Sequence, residues 1–128
     1  MRLLLDTHVL LWALANPERL DRETRSVIEH PANDVLFSSA SIWEIVIKSG
    51  LGREDFKVDA IRLRRLLVAN GYEELPITAD HALAVDRLPR LHRDPFDRIL
   101  IAQARADKLG LVTTDALVSQ YGEGILAV

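Results

Sequence analysis

Four carboxylates, spread widely along the chain, are the residues whose type and position best suggest chemistry. Carboxylates held close together repel one another, and each raises the pKa of its neighbours unless a cation neutralises them. A ligand set made of oxygen alone, in a chain without cysteine, suits Mg²⁺ or Mn²⁺. Such a site positions a water molecule and stabilises charge during phosphodiester cleavage. The four candidate catalytic and metal-binding residues are Asp6, Glu44, Asp97 and Asp115.

The elements that must position these acids alternate along the chain. Short apolar runs predict strands or extended pieces, at residues 3–5, 35–37, 75–77, 111–113 and 125–128. Helical patterns with capping residues predict helices, at 21–30, 41–48, 59–70 and 78–88. A further helix begins at Asp94-Pro95, and glycines follow the predicted helix ends, at Gly50, Gly71 and Gly110. Strands separated by helices favour an α/β fold, one domain over residues 1–128 with a mainly parallel central sheet flanked by helices.

This topology places the four acids at one edge of the sheet. Asp6 and Asp115 follow predicted strands, and loops that leave the carboxyl ends of parallel strands form the usual ligand crevice. Glu44 and Asp97 lie in the first turns of predicted helices, whose N-termini meet the same edge. Hydroxyl residues lie beside the acids and could bond carboxylates, orient metal-bound waters or cap helices; they are Thr7, Ser38, Thr113 and Thr114.

Each acid also has a purely structural interpretation. Glu44 fits a capping box with Ser41, in which its side chain only reaches back to the backbone. Asp94 fits the N-cap of its helix because Pro95 suits the first helical position, and whether Asp94 is a ligand or only a cap stays open. The others could cap a helix, complement its dipole or occupy a turn. A site is favoured because all four acids are predicted to converge at one edge of the sheet.

The charge of the chain neither requires nor excludes a nucleic-acid partner. The formal net charge is −3, but without the four acids the remainder carries +1. A basic stretch that includes His92 precedes and enters the helix of Asp97, and it could face phosphates or only solvent. The four histidines show no metal-ligand spacing, and we expect them to be solvated or satisfied locally. The candidate RNA-contacting residues are Arg87, Arg90, Arg93 and Arg98.

Nothing in the sequence predicts a membrane segment. No run approaches the roughly 20 apolar residues needed to span a bilayer. Asp6 and His8 interrupt the apolar N-terminal stretch, so it lacks the continuous core of a secretory signal. We therefore expect a cytoplasmic protein.

Four blocks of sequence resemble the PIN domain family, and more narrowly the VapC-type toxins of bacterial toxin–antitoxin pairs. The resemblance covers essentially the whole chain, with the blocks in the usual order and spacing. The first and third blocks are the most specific. The blocks are Leu4-Leu5-Asp6-Thr7-His8, Ser41-Ile42-Trp43-Glu44-Ile45, Asp94-Pro95-Phe96-Asp97-Arg98-Ile99-Leu100-Ile101-Ala102 and Thr113-Thr114-Asp115.

The resemblance implies a Mg²⁺- or Mn²⁺-dependent endoribonuclease that acts on RNA and is held inactive by a cognate antitoxin protein. It also implies a homodimer, and it makes the acidic quartet the catalytic and metal-binding set. One alternative is a PIN-domain RNA-processing nuclease outside any toxin–antitoxin system. Another is a receiver-like signalling module, but that would need paired acids after the first strand, where Thr7 and His8 follow Asp6 here.

Overall fold

The sheet is fully parallel, as the alternation of strands and helices predicts. A computed structural model describes residues 1–52, 57–122 and 124–127. Its strands pair in parallel in the order β3-β2-β1-β4-β5. They are β1 (Arg2–Leu5), β2 (Asp34–Ser38), β3 (Glu73–Leu75), β4 (Gly110–Thr113) and β5 (Ile125–Ala127).

Helices connect the strands and cover both faces of the sheet. They are α1 (Thr7–Ala15), α2 (Arg22–Glu29), α3 (Ser39–Gly50), α4 (Ala60–Ala69), α5 (Ala79–Ala84), α6 (Pro95–Ala106) and α7 (Ala116–Ser119). Short 3₁₀ turns follow α1 and α5, at Pro17–Arg19 and Val85–Arg87. Within the described part of the chain, no helix combines the length and apolar character that a membrane crossing requires.

The core lies in two layers because successive side chains of a strand point to opposite faces. Leu3 and Leu5 of β1 are fully buried in one layer, against residues of α1, α2 and α4. Leu4 is fully buried in the other layer, with Leu36 of β2 and residues of α6 and α7. The three-leucine strand is thus the centre of both layers, and it fixes the position of the acid that follows it.

Most predicted helix starts are confirmed by side-chain caps. Asp21 caps α2 by accepting the Thr24 N–H at 2.7 Å, and Asp59 caps α4. Thr78 caps α5 through the His81 N–H. Short polar side chains accept hydrogen bonds from N–H groups that have no partner inside the helix, so the sequence indicates these helix starts.

Several predicted boundaries were wrong. α3 begins at Ser39 and not at 41, because Ser38 caps it by accepting the Ala40 N–H. It also includes Gly50, and Gly52 adopts the positive φ beyond its end. The strand predicted at 75–77 lies at 73–75 because Pro76 has no N–H to continue a ladder.

The helix of Asp97 also ends earlier than predicted. α6 ends at Ala106, and Lys108 makes the turn with φ of 56°, while Gly110 is the first residue of β4. The helix predicted at 78–88 is α5 followed by a 3₁₀ turn. The last residue of the predicted final run, Val128, lies outside the described residues.

Candidate functional site

Asp6 is held rigidly where β1 ends. Its side chain is 5% exposed, and its N–H continues the ladder to Val112 O at 3.0 Å. One carboxylate oxygen accepts the Val9 N–H at 2.9 Å and so caps α1. The other accepts a short hydrogen bond from the Thr113 hydroxyl at the end of β4. The capping interpretation of Asp6 is therefore correct, and the cap leaves the carboxylate at the edge of the sheet.

Glu44 lies in the second turn of α3, so its predicted place in the first turn and its capping box with Ser41 were both wrong. Its side chain is 3% exposed. Oε1 accepts the Thr7 hydroxyl at 2.7 Å, and Oε2 pairs with the Lys48 ammonium. Lys48 is not among the predicted site residues, although its spacing of four residues from Glu44 on one helix face could indicate the pair.

Asp94 and Asp97 have different positions at the start of α6. Asp94 is the N-cap: its Oδ1 accepts the N–H groups of Phe96 at 2.8 Å and Asp97 at 3.4 Å. This confirms the predicted capping role. The Asp97 carboxylate lies one turn further on, with Oδ2 2.8 Å from Nε2 of His92.

Asp115 lies just beyond β4 and caps α7. Its Oδ1 accepts the Leu117 N–H at 2.8 Å and the Val118 N–H at 3.3 Å. Its own N–H donates to the Thr113 hydroxyl at 3.0 Å, so Thr113 bonds both Asp6 and Asp115. Oδ2 of Asp115 faces the site at 3.6 Å from Nε2 of His92.

Electrostatic interactions link Asp97 to Glu44 and Asp6, and Asp6 to Asp115. Burial raises the pKa of Asp97 to about 7, and the Asp94, Glu44 and Asp6 carboxylates add to this shift while His92 opposes it. Burial also raises the pKa of Asp6, its hydrogen bonds to Thr113 and Val9 oppose the shift, and Asp115 adds to it. The structure thus brings the predicted acids to one edge, where burial disfavours the charged forms of Asp6 and Asp97.

His92 is the site residue that sequence reasoning missed. We expected the histidines to be solvated or satisfied locally, but the His92 side chain is only 12% exposed and faces Asp97 and Asp115. One ligand atom from each of these three residues lies within 4.8 Å of the other two. His92 belongs to the irregular segment before α6, where no periodic spacing could have indicated its direction.

The four arginines of the basic stretch differ in their contacts. Arg87, Arg90 and Arg93 are exposed. The Arg98 guanidinium instead donates to main-chain carbonyls, among them Val85 O at 3.1 Å and Pro89 O at 3.2 Å. A cavity of about 460 Å³ has a basic lining, which includes the histidine that faces Asp97 and Asp115: Arg90, His92, Arg93 and Arg98.

A model of the PIN domain matches residues 3–124. The chain belongs to the PIN domain family. The match covers nearly all of the chain and confirms the resemblance seen in the sequence blocks. No curated protein matches this PIN domain in sequence.

Solved structures similar to this PIN domain come from toxin–antitoxin systems. VapBC2 of Rickettsia felis, bound to a DNA fragment from its promoter, has a TM-score of 0.71 at 14% identity over 100% of this chain and 98% of that one. VapBC-1 of nontypeable Haemophilus influenzae has a TM-score of 0.68 at 16% identity over 100% of this chain and 97% of that one. Mycobacterium tuberculosis VapC20, a sarcin–ricin loop cleaving toxin, has a TM-score of 0.60 at 19% identity over 94% of this chain and 95% of that one. At these identities the likeness shows a shared fold.

The raised pKa of Asp97 predicts how metal-free protein responds to pH. Since its folded value of about 7 lies above the ordinary 3.8, folding favours the protonated carboxyl. That contribution to stability is fully present below the unfolded value and is lost as pH rises through the folded value. Relative to wild type, Asp97→Asn should therefore gain roughly 1–3 kcal/mol in free energy of unfolding between about pH 5 and 7, measured by urea unfolding with EDTA.

The matched control is Asp34→Asn, which makes the same change at an exposed position where β2 begins. Its effect on the free energy of unfolding should stay constant over that interval. A constant difference for Asp97→Asn as well would contradict the electrostatic account of the site.

Proposed function

We propose that this PIN domain is the toxin of a toxin–antitoxin pair, an endoribonuclease that hydrolyses RNA phosphodiester bonds with a divalent metal ion. The observation that carries the proposal is the convergence of four carboxylates at one sheet edge, two of them nearly inaccessible to solvent. The fold shared with VapC20, described as a sarcin–ricin loop cleaving toxin, supports the choice of RNA as substrate.

The donor chemistry of the edge fits Mg²⁺ or Mn²⁺. Carboxylate oxygens are the ligands such ions prefer, and burial together with the neighbouring carboxylates raises the pKa of Asp97. We propose that the quartet Asp6, Glu44, Asp97 and Asp115 holds the ion directly or through water. When bound, the ion would supply an activated water and charge stabilisation at the phosphate.

The surrounding residues would keep this quartet in place during the reaction. Thr113 holds Asp6 through its hydroxyl and receives the Asp115 N–H, while Thr7 holds Glu44. These bonds fix the carboxylates before substrate arrives, so little reorganisation is needed when charge develops. Lys48 neutralises part of the charge on Glu44.

RNA would approach over the basic segment next to the acids. We assign phosphate contacts to Arg87, Arg90 and Arg93, which are exposed and precede the helix of Asp97. The prediction for Arg98 is weakened, because its guanidinium already bonds several carbonyl oxygens. The basic lining of the neighbouring cavity supports this direction of approach.

The proposed partners are a cognate antitoxin protein and a second copy of the chain. The similar structures include a toxin–antitoxin complex from Klebsiella pneumoniae, of TM-score 0.65 at 18% identity over 97% of this chain and 95% of that one. Exposed apolar side chains on and just after α3 are a feature typical of interfaces, and they support assembly: Trp43, Val46, Ile47 and Leu51. The proposal places this assembly in the cytoplasm.

Expression of the chain alone should halt growth if the proposal is right. Asp6→Asn or Asp97→Asn should relieve the arrest without unfolding the protein, because each keeps side-chain volume while removing a ligand's charge. Growth curves after induction, with protein levels and circular dichroism of each variant, provide the measurement. Asp34→Asn, at the opposite end of β2, should remain toxic.

Two outcomes of this experiment argue against the proposal. Equal toxicity from a folded Asp6→Asn variant would rule out metal-dependent catalysis as the cause of arrest. Cleavage of purified RNA without any growth arrest would favour an RNA-processing nuclease over a toxin.

Replacing the exposed arginines tests the path of RNA. In an Asp6→Asn background that binds but does not cleave, each of Arg87→Gln, Arg90→Gln and Arg93→Gln should weaken binding at low salt. The slope of log affinity against log salt for single strands should fall by roughly 0.7 per lost phosphate contact. Thermal stability should stay nearly constant, because exposed arginines contribute little to folding. Unchanged affinity and slope after all three changes would place the RNA elsewhere.

A further inference from the structure

His92 has a buried ring atom between two of the candidate acids. Its Nε2 lies 2.8 Å from Oδ2 of Asp97 and 3.6 Å from Oδ2 of Asp115. Among the described residues Nε2 forms no hydrogen bond, although these two carboxylate oxygens lie near it. The ring is therefore placed either to donate to both carboxylates or to share a metal ion with them.

The other ring nitrogen decides between these two roles. Nδ1 of His92 accepts the Asp94 N–H at 3.2 Å, so Nδ1 carries a lone pair and the proton of the neutral ring is on Nε2. A histidine that binds metal through one nitrogen almost always donates from the other. Here Nδ1 already faces the Asp94 N–H, so moving the ring proton to Nδ1 would point two N–H groups at each other. The geometry favours His92 as a donor.

The backbone of His92 is fixed from two sides, so the ring has little freedom to turn away. Its N–H donates to the Tyr121 hydroxyl at 3.1 Å, and its carbonyl accepts from Arg98 at 3.3 Å. The Tyr121 hydroxyl donates in turn to Pro89 O at 2.8 Å. Arg98 also reaches Val85 O, which ties the segment to the end of α5. These contacts hold the segment before α6, and with it the His92 ring, in place.

We propose that His92 is a positioning residue: its imidazole is placed to donate Nε2–H toward the Asp97 and Asp115 carboxylates and to set their separation for a divalent cation. The proposal rests on the proposed function, because the cation belongs to that site. It adds a requirement for His92 as a hydrogen-bond donor and excludes the ring from the ligand set. Groups that orient ligands in this way typically change metal affinity by about 10–100-fold when they are removed.

The test measures binding of Mn²⁺ alone by calorimetry, together with pulsed EPR of the Mn²⁺-bound protein. His92→Ala should weaken Mn²⁺ binding by about 10–100-fold. His92→Gln should recover most of that loss, because its amide N–H reaches a position similar to that of Nε2–H. EPR of the wild type should show no coupling from a directly bound imidazole nitrogen, and this measurement needs no variant to fold.

His30 provides the matched control. Its Nδ1 also accepts a backbone N–H two residues on, that of Ala32 at 3.0 Å, but His30 is exposed at the end of α2. His30→Ala should leave Mn²⁺ affinity unchanged. Asp97→Asn, measured alongside, reports whether the metal centre itself is present.

The outcomes separate this proposal from the proposed function. If Asp97→Asn weakens Mn²⁺ binding and His92→Ala does not, the positioning role is overturned while the metal centre stands. A directly bound nitrogen in the EPR spectrum, with equal losses in His92→Ala and His92→Gln, would make His92 a ligand and also overturn the proposal. If neither wild type nor Asp97→Asn binds Mn²⁺, both proposals fail.

Discussion

The electrostatic cost of placing four carboxylates at one edge of a small sheet governs much of this structure. Asp6 and Glu44 are 5% and 3% exposed, so water solvates them very little. A buried carboxylate is tolerated only when hydrogen bonds or opposite charges replace its hydration. The contacts around the edge are best understood as the means by which the fold meets that requirement.

Local hydrogen-bond donors replace part of the hydration of these carboxylates, and part of their negative charge has no opposite charge beside it in the described part of the chain. Hydroxyls at the end of β4 and the start of α1 bond Asp6 and Glu44. The acids Asp6, Asp94 and Asp115 cap helices whose N-termini carry partial positive charge. Lys48 pairs its full positive charge with Glu44. Burial, reinforced by the neighbouring carboxylates, still raises the pKa of Asp97 to about 7. A divalent cation would complete the balance, which is why stability and metal binding should be linked in this chain.

The sequence was informative where the determinants are local. The caps Asp21, Thr78 and Asp94 were correctly predicted because a single side chain beside an apolar pattern defines each of them. The meeting of the four acids was predicted because parallel topology alone brings strand ends and helix starts to one edge. The family resemblance agreed with both.

What the sequence did not indicate depends on irregular backbone or on competition between residues. The helix predicted from 41 begins two residues earlier, because the chain passes directly from β2 into α3 and Ser38 is the cap. The direction of the His92 ring depends on Arg98 and Tyr121, which are distant or irregularly spaced in sequence. Arg98 was grouped with the exposed arginines by charge, although its position inside α6 turns it toward the carbonyls of the preceding segment.

The central claim is that the four acids form one cation site. The most direct measurement is a crystal structure of the protein soaked in Mn²⁺, with the ion located by its anomalous scattering. The account predicts a peak at the carboxyl ends of β1 and β4, within coordinating distance of Asp97 and bound by the remaining acids directly or through water. A well-ordered structure at saturating Mn²⁺ with no peak there, or with its ion bound by other residues, would contradict the account.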